Sequence, residues 1–221
     1  FMALDTIQQY DAKTIATVIT NEDEIDKYED RLGTYLVQLS ARQLMEEDSN
    51  EIGMFLHMIG DFERISDHAV NLTEVAQEMH DKKISFSDAA KAELNIFSDA
   101  LTEILNNSID AFLNENLDEA RMVEPLEEVI DAMQADIRAR HVLRLREGTC
   151  TIELGFVLSD LLTNMERVSD HCSNIAATLI QTKNETFDMH SYLQSVKAAD
   201  GNQDFTARVN EYSERFALPK A

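Results

Sequence analysis

Proline, glycine and tryptophan are scarce in this 221-residue chain, which has two prolines, six glycines and no tryptophan. So few turn-forming residues, together with long stretches of Ala, Leu, Glu, Met and Gln, predict long helices joined by few turns. Cysteine is also rare, and Cys150 and Cys172 do not form a CxxC pair. Cys172 falls on an apolar helical stripe, which predicts a buried free thiol and indicates a reducing compartment.

Basic residues are few as well, since 19 lysines and arginines face 42 acidic residues and give a formal charge of −23. Such a charge repels nucleic acid and anionic membrane surfaces, so no nucleic-acid partner is expected, and cations or basic protein surfaces are favoured. The longest nearly apolar run, residues 152–162, is interrupted by two acids and is far too short for a bilayer of about 30 Å. No glycine-rich phosphate loop, GxSxG or HExxH motif occurs, so an enzyme is the least favoured class.

An internal duplication organises the chain. EDEID at residues 22–26 matches EEVID at 127–131, and FERISDHAVN at 62–71 matches MERVSDHCSN at 165–174. The two offsets are 105 and 103 residues, so the difference fits in the turn between the helices. Six of the ten positions in the second segment are identical, an agreement that chance rarely gives.

Each copy has the periodicity of amphipathic helices, with apolar residues spaced alternately by three and four. We expect these stripes to form the seams of helical bundles. They are Phe62, Ile65, Ala69 and Leu72 in one copy, Met165, Val168, Cys172 and Ile175 in the other, and Ile25, Tyr28, Leu32, Tyr35 and Leu39 upstream.

The second copy is predicted to form three helices, at about residues 86–115, 116–147 and 150–183. The expected capping residues are Ser85 or Asp88, Asn116 and Thr149, with Gly148 as a helix stop and Pro125 as a kink. By the 105-residue offset, the first helix of the first copy would begin roughly 20 residues before Phe1, so it is expected to be incomplete.

The predicted fold is therefore all-α, with two tandem antiparallel three-helix bundles at residues 1–84 and 85–184, the first of them N-terminally truncated. Residues 185–221 are expected to form a C-terminal helical tail. Because large apolar patches rarely stay bare, the seam left open in the first bundle should be covered by this tail or by another subunit of a homo-oligomer.

Four repeat-matched ExxxD pairs each place two carboxylates one turn apart on one helix face. They are Glu22 with Asp26, Glu63 with Asp67, Glu127 with Asp131, and Glu166 with Asp170. Roughly eight acidic i, i+4 pairs arise by chance in so acidic a chain, so only their matched placement distinguishes these four. No Lys or Arg follows any pair at the next i+4 position.

If the two ExxxD helices of each copy pack side by side, four carboxylates converge at two surface sites. Such oxygen-rich clusters suit hard cations such as Mg, Mn and ferric iron, which would offset the repulsion between the carboxylates. The alternative is that these residues are the solvated outer faces of amphipathic helices. His68 and His171 could be ligands or could support the ligands, whereas Arg64 and Arg167 are expected to pair with neighbouring acids.

The segments FERISDHAVN and MERVSDHCSN resemble the ERIGDxxxN signature of the PhoU family, and EDEID and EEVID resemble its upstream ExxxD element. The resemblance covers nearly the whole chain and implies tandem three-helix bundles. It also implies a cytoplasmic regulator of phosphate uptake that contacts a membrane phosphate transporter or a sensor kinase. The implied cofactor is multinuclear iron or zinc, with other divalent cations as alternatives, held by the eight carboxylates. Ser66 and Ser169 stand where the family usually has glycine.

Members of this family occur both free-standing and as cytoplasmic domains at the C-terminus of sodium/phosphate cotransporters. The incomplete first helix and the tail segments DMHSYLQSVKAAD and FTARVNEYSERFAL are similar to the fused kind. That form would place the domain at the cytoplasmic face of the inner membrane. The alternatives are a free-standing regulator of a phosphate ABC transporter and its sensor kinase, or a metal-free helical scaffold.

Overall fold

A computed structural model describes residues 1–42, 44–183 and 203–219 of the chain. Within these residues the structure is helical and has no β-strand, which confirms the predicted fold class. The helices are α1 (Met2–Gln8), α2 (Ala12–Ser40), α3 (Glu46–Lys82), α4 (Asp88–Asn114), α5 (Leu117–Arg146), α6 (Ile152–Lys183) and α7 (Gln203–Arg215). Although several of them exceed 25 residues, none of the described helices has an apolar stretch that could cross a membrane.

The helices pack as two groups of three. In the first group α1, α2 and α3 contact one another, and in the second α4, α5 and α6 do so. The groups meet along α3 and α6. Helices α1 to α3 fall within the predicted segment 1–84 and α4 to α6 within 85–184, with helix ends in the second segment at most two residues from those predicted.

Polar side chains cap the first turns of α4 and α5. The Asn116 side chain accepts hydrogen bonds from two backbone N–H groups at the start of α5, as predicted. For α4 the prediction of Ser85 or Asp88 is wrong, because Ser87 is the residue directly before the first turn and its hydroxyl accepts the N–H of Ala90. A capping side chain must occupy that position to reach the free N–H groups.

The turn between α5 and α6 also differs in one residue from the prediction. Gly148 ends the turn with a positive φ of 71°, a conformation that favours glycine. The hydroxyl of Thr151, not that of Thr149, accepts the N–H of Leu154 at the start of α6. Pro125 lies inside α5, which continues through it as one helix.

Most of the buried hydrophobic core lies in α4, α5 and α6. Its largest fully buried side chains include Phe97, Leu101, Ile104, Ile130, Ile137, Leu161 and Met165. In the first group, α1 buries Ala3 and Leu4, and the start of α2 buries Ile15 and Val18.

The apolar stripe further along α2 is exposed, which agrees with the expectation that the seam of the first bundle is left open. Exposed fractions there are 37% for Ile25, 61% for Tyr28, 46% for Leu32 and 61% for Tyr35. The reason is the length of α1, which has seven residues against 27 for its counterpart α4 and so covers only the start of α2.

The described part of the C-terminal tail packs on the second group. Helix α7 contacts α5, Tyr212 and Phe216 are buried, and an Arg140 guanidinium N–H donates to the carbonyl of Pro219. The expectation that the tail covers the open stripe of α2 therefore fails for this part. Residues 184–202 of the predicted tail lie outside the described residues.

Candidate metal centres

Three carboxylates converge where α2 packs against α3. Glu22 and Asp26, one turn apart on α2, lie beside Asp67 on α3, and one oxygen of each lies within 4.8 Å of the other two. Asp26 is exposed, whereas Glu22 and Asp67 are partly buried. The i, i+4 spacing places the two α2 carboxylates on one face, and the helix packing brings the third to them.

The second group of helices repeats this arrangement between α5 and α6. Oxygens of Glu127, Asp131 and Asp170 again lie within 4.8 Å of one another. Glu127 is buried, Asp170 is partly buried and Asp131 is exposed. These residues match the first cluster position by position in the internal repeat.

Glu63 and Glu166, the remaining predicted ligands, lie next to the clusters but outside the groups of oxygens that meet this distance. The pKa of Glu63 is raised by burial and by the charge of Asp67. The pKa of Glu166 is raised by burial and by the charge of Asp170. Three members of each predicted set of four thus have oxygens within 4.8 Å of one another, and the fourth carboxylate interacts electrostatically with the cluster aspartate.

Negative charge accumulates in the first cluster. The pKa of Glu22 is raised by burial and then by the charges of Asp26, Asp23 and Asp67. A raised carboxyl pKa means that the surroundings disfavour the ionised form. A bound cation would reverse this effect, since it favours the ionised carboxylate.

Each cluster also has an arginine. Arg64 Nη1 lies 3.0 Å from Asp67 Oδ2, and Arg167 Nη1 lies 3.1 Å from Asp170 Oδ2. The prediction that these arginines pair with neighbouring acids is confirmed. No Lys or Arg follows a pair at the next i+4 position, but in two of the pairs an arginine three residues before the aspartate reaches it and offsets part of its charge. Both arginines are more than half exposed, so these ion pairs are weak.

The two histidines lie at the junction of α3 and α6. His68 Nδ1 is 2.9 Å from Asn164 Oδ1, which also accepts a hydrogen bond from Asn71. His171 Nδ1 is 2.8 Å from Asp61 Oδ1. The structure places neither histidine in the carboxylate groups.

Asp61 and Asn164 were not anticipated as partners of these histidines. They hold matching positions in the two repeats at the 103-residue offset, one residue before the repeated ten-residue segment. These matching positions were the sequence signal that could have identified Asp61 and Asn164 as a functional pair. The difference between them, a carboxylate in one and an amide in the other, makes the two halves of the junction chemically unequal.

The residues present fit a metal cation. Each cluster offers three carboxylate oxygens on two adjacent helices, a donor set that hard cations prefer. Within the described residues, no group of three ligand atoms that includes a histidine or cysteine meets the same distance. An all-oxygen set suits ferric iron, Mg or Mn better than zinc, which prefers nitrogen and sulfur.

Two three-helix groups, each with a carboxylate cluster between its repeat-matched helices, define a duplicated helical-bundle protein. The PhoU domain matches residues 2–76 and 94–179, which is more than half of the chain. The chain belongs to the PhoU domain family.

Curated relatives carry the same family name. The phosphate-specific transport system accessory protein PhoU homolog 1 of Thermotoga maritima is 26% identical over 203 residues, which cover 91% of this chain and 86% of that protein. A PhoU homolog of Xylella fastidiosa, also named as an accessory protein of phosphate-specific transport, is 25% identical over 178 residues, with 80% and 74% of the two chains covered.

Solved structures have the same fold. The crystal structure of PhoU from Pseudomonas aeruginosa matches with a TM-score of 0.77 at 22% identity, over 84% of this chain and 88% of that one. The phosphate transport system regulatory protein PhoU from Streptococcus pneumoniae matches with a TM-score of 0.67 at 16% identity, over 85% and 87%.

Proposed function

We propose that this protein regulates phosphate transport by contact with a membrane phosphate transporter, and that it catalyses no reaction. The observation that carries this proposal is the family match across both repeats, supported by relatives that are named as accessory proteins of phosphate-specific transport. We propose a sensor kinase as a second protein that this chain contacts. Fusion to a sodium/phosphate cotransporter stays a prediction, as does a cytoplasmic location.

The proposal is tested in cells that lack their own PhoU protein and carry this chain on a plasmid. Uptake of labelled phosphate should depend on the chain, and the transporter should be recovered with it after cross-linking. Unchanged uptake would contradict the proposal. If the protein hydrolyses a phosphoester, and if substitution of a single carboxylate abolishes that hydrolysis, the proposal that it catalyses no reaction is contradicted.

We further propose that the two carboxylate clusters are metal sites. The first site would use Glu22, Asp26 and Asp67, and the second Glu127, Asp131 and Asp170. Within each set, one carboxylate oxygen of each residue lies within 4.8 Å of those of the other two. Glu63 and Glu166 would join as additional ligands when the cation replaces the weak ion pairs to the neighbouring arginines. Every donor is a carboxylate oxygen, which suits a hard cation, and iron is the candidate among these cations that the family resemblance implies.

A metal at these positions would tie two helices of one group together, α2 to α3 or α5 to α6. It would supply positive charge where the protein concentrates negative charge. A cation at a hundred times its dissociation constant would add about 2.7 kcal/mol to the free energy of unfolding.

The test compares a double variant with a matched control. Asp67→Asn with Asp170→Asn removes one charge from each cluster and keeps the side-chain shape. The control, Asp23→Asn with Glu128→Gln, also removes one charge per repeat, from exposed positions on the same helices that carry Glu22 and Glu127. Elemental analysis after gel filtration should show metal in wild type and control, and much less in the cluster variant.

Metal-free stability separates loss of ligands from loss of structure. Asp67 and Asp170 each take part in an exposed ion pair worth no more than about 1 kcal/mol. The cluster variant should therefore unfold near the wild-type temperature when both are metal-free. Equal metal content in all three proteins would contradict the proposal, and no metal in any of them would favour the metal-free scaffold.

A further inference from the structure

The two carboxylate clusters are built from the same residue types. Each consists of one glutamate and two aspartates, at matching positions of the internal repeat. In each, the aspartate on the second helix has an arginine partner three residues before it, Arg64 or Arg167. Any difference in cation affinity between the clusters therefore comes from their surroundings, which differ in charge and in burial.

Glu29 adds a negative charge beside the first cluster. It follows Asp26 by three residues on α2, so the two side chains share a helix face. Glu29 is partly buried and lines a cleft of about 330 Å³ together with Asp61 and Glu63 of α3. Burial raises the pKa of Glu63 most, and nearby acids that include Glu29 raise it further. Glu29 thus belongs to the electrostatic surroundings of the first cluster.

Neutral amides replace two of these three acids in the second repeat. Gln134 stands at the position that matches Glu29, and Asn164 stands at the position that matches Asp61. The Gln134 side chain is already engaged, because its Nε2 donates to the backbone carbonyl of Leu162 at 3.2 Å. The second cluster therefore lacks the negative charge that Glu29 supplies to the first.

Arg138 adds a positive charge beside the second cluster. It lies one turn after Gln134 on α5, and its Nη2 donates to the hydroxyl of Thr163 on α6 at 2.8 Å. Thr163 lies three residues before Glu166, so this bond holds the guanidinium near that carboxylate. Burial raises the pKa of Glu166, and Arg138 is among the charges that oppose the rise. The matching residue of the first repeat is Gly33, which has no side chain.

The first cluster is therefore more negative by two formal charges, since it has one acid more and one arginine fewer around it. One matched pair opposes this difference, because His57 of the first repeat stands where the second has Asp160. Both are exposed, and the main electrostatic influences on Glu63 and Glu166 include neither of them. The charges held closest to the clusters thus favour a cation at the first.

We propose that the two candidate metal sites are unequal, and that the site between α2 and α3 binds a hard cation at least about tenfold more tightly than the site between α5 and α6. Glu29 strengthens the first site, and Arg138 weakens the second. The inference rests on the proposed metal sites, since it concerns the order in which they fill. As the metal concentration rises, a cation joins α2 to α3 first and α5 to α6 only later.

Titration of the purified full chain with Mn²⁺ measures both sites. Free aqueous Mn²⁺ has a sharp electron paramagnetic resonance signal that is lost on binding, so the signal reports the unbound ion at each addition. Wild type should show two classes of site whose dissociation constants differ by at least about tenfold. Asp67→Asn should remove the tight class and keep the weak one, and Asp170→Asn should do the reverse.

Two further variants change the surroundings and keep the ligands. Glu29→Gln gives the first site the amide of the second and should weaken the tight class several-fold. Arg138→Gln removes the guanidinium and should strengthen the weak class by a similar factor. The control, Arg146→Gln, removes the same charge from an exposed position about 12 Å further along α5 and should leave both classes nearly unchanged. Circular dichroism checks that all the variants are folded.

Salt separates the effect of charge from the effect of burial. Raising the NaCl concentration from about 0.01 M to about 1 M shortens the Debye length from about 30 Å to about 3 Å. The ratio between the two dissociation constants should therefore shrink in high salt. A ratio that salt does not change would contradict the inference and assign the difference to burial, since Glu127 is buried and Glu22 only partly so.

Three results of the titration would overturn the inference. A single class of sites, of which Asp67→Asn and Asp170→Asn each remove half, would overturn it and leave the metal sites standing. A tighter second site would also overturn it, because the burial of Glu127 would then outweigh the surrounding charges. Absence of Mn²⁺ uptake by wild type would contradict the metal sites themselves and the inference with them.

Discussion

The imidazole rings of His68 and His171 stack across the junction of α3 and α6, with their centroids 5.7 Å apart and 29° between their planes. These histidines hold matching positions in the two repeats, so the contact brings the two copies of the repeated segment together. Each histidine directly follows a carboxylate of one cluster, Asp67 or Asp170. The two candidate metal centres are therefore joined through a short, partly buried contact between α3 and α6.

The stabilisation that bound metal gives the fold should decrease as the pH is lowered. Burial and neighbouring negative charge raise the pKa of Glu22, Glu63 and Glu166. A carboxyl group whose pKa is raised in the folded state destabilises the fold when the pH is above that folded pKa. At a pH below the ordinary pKa of 4.5 it has no such effect. Metal-free protein should therefore gain from these groups as the pH falls, while bound metal is displaced by protons.

Thermal melts with and without iron test this prediction. The difference in melting temperature between the two forms should be largest near pH 7 and should shrink toward pH 5. The metal-free variant Asp67→Asn with Asp170→Asn should show a weaker pH dependence, because one repelling charge is missing from each cluster. A difference that stays constant over this range would contradict the proposed carboxylate ligands.

Glu93 should be the most sensitive ionic residue for stability. It is buried in α4, and its carboxylate accepts two hydrogen bonds from Arg144, at 2.9 and 2.8 Å. Glu93→Gln would leave the charge of Arg144, whose side chain is only 14% exposed, without its ion-pair partner. It should cost about 3–5 kcal/mol, or roughly 10 °C in melting temperature. Glu103→Gln is the control, because its partner Arg215 is 59% exposed, and it should cost no more than about 1 kcal/mol.

The two thiols should differ sharply in reactivity. Burial raises the pKa of Cys172 to about 12, so its reactive thiolate is scarce in the folded protein and no reagent can reach it. Cys150 is partly exposed. Titration with a disulfide reagent at pH 8 should detect one thiol quickly in the native protein and the second only after unfolding. Two fast thiols, or loss of the slow one in a Cys150→Ser variant, would contradict the assignment.

Ser169 should be a position at which a smaller apolar residue stabilises the fold. Its side chain is fully buried, and within the described residues its hydroxyl has no hydrogen-bond partner. Ser169→Ala removes a buried polar group that lacks a partner and should raise stability by about 1 kcal/mol. Ser108 is the matched control, since its buried hydroxyl donates to the carbonyl of Cys172, and Ser108→Ala should lower stability by a similar amount. Denaturant unfolding of both variants measures the two effects.

The sequence by itself determined the helices and the carboxylate pairs. Sparse glycine and proline and the doubled motif predicted the all-α fold, and the i, i+4 spacing placed Glu22 with Asp26 and Glu127 with Asp131 on shared faces. These features depend on the regular geometry of a single helix, which the chain specifies locally. The side-by-side packing that adds Asp67 and Asp170 was expected from the repeat, and the structure brings these residues together.

Only the tertiary structure decided what each helix face contacts. Periodicity predicted Ile25, Tyr28 and Leu32 as a seam, yet they are exposed, because a pattern of apolar residues does not specify whether another helix covers them. The histidines were candidate ligands from their place beside the aspartates. Their partners Asp61 and Asn164 lie about a hundred residues away in sequence, and only the packing of α3 against α6 brings them within hydrogen-bonding distance.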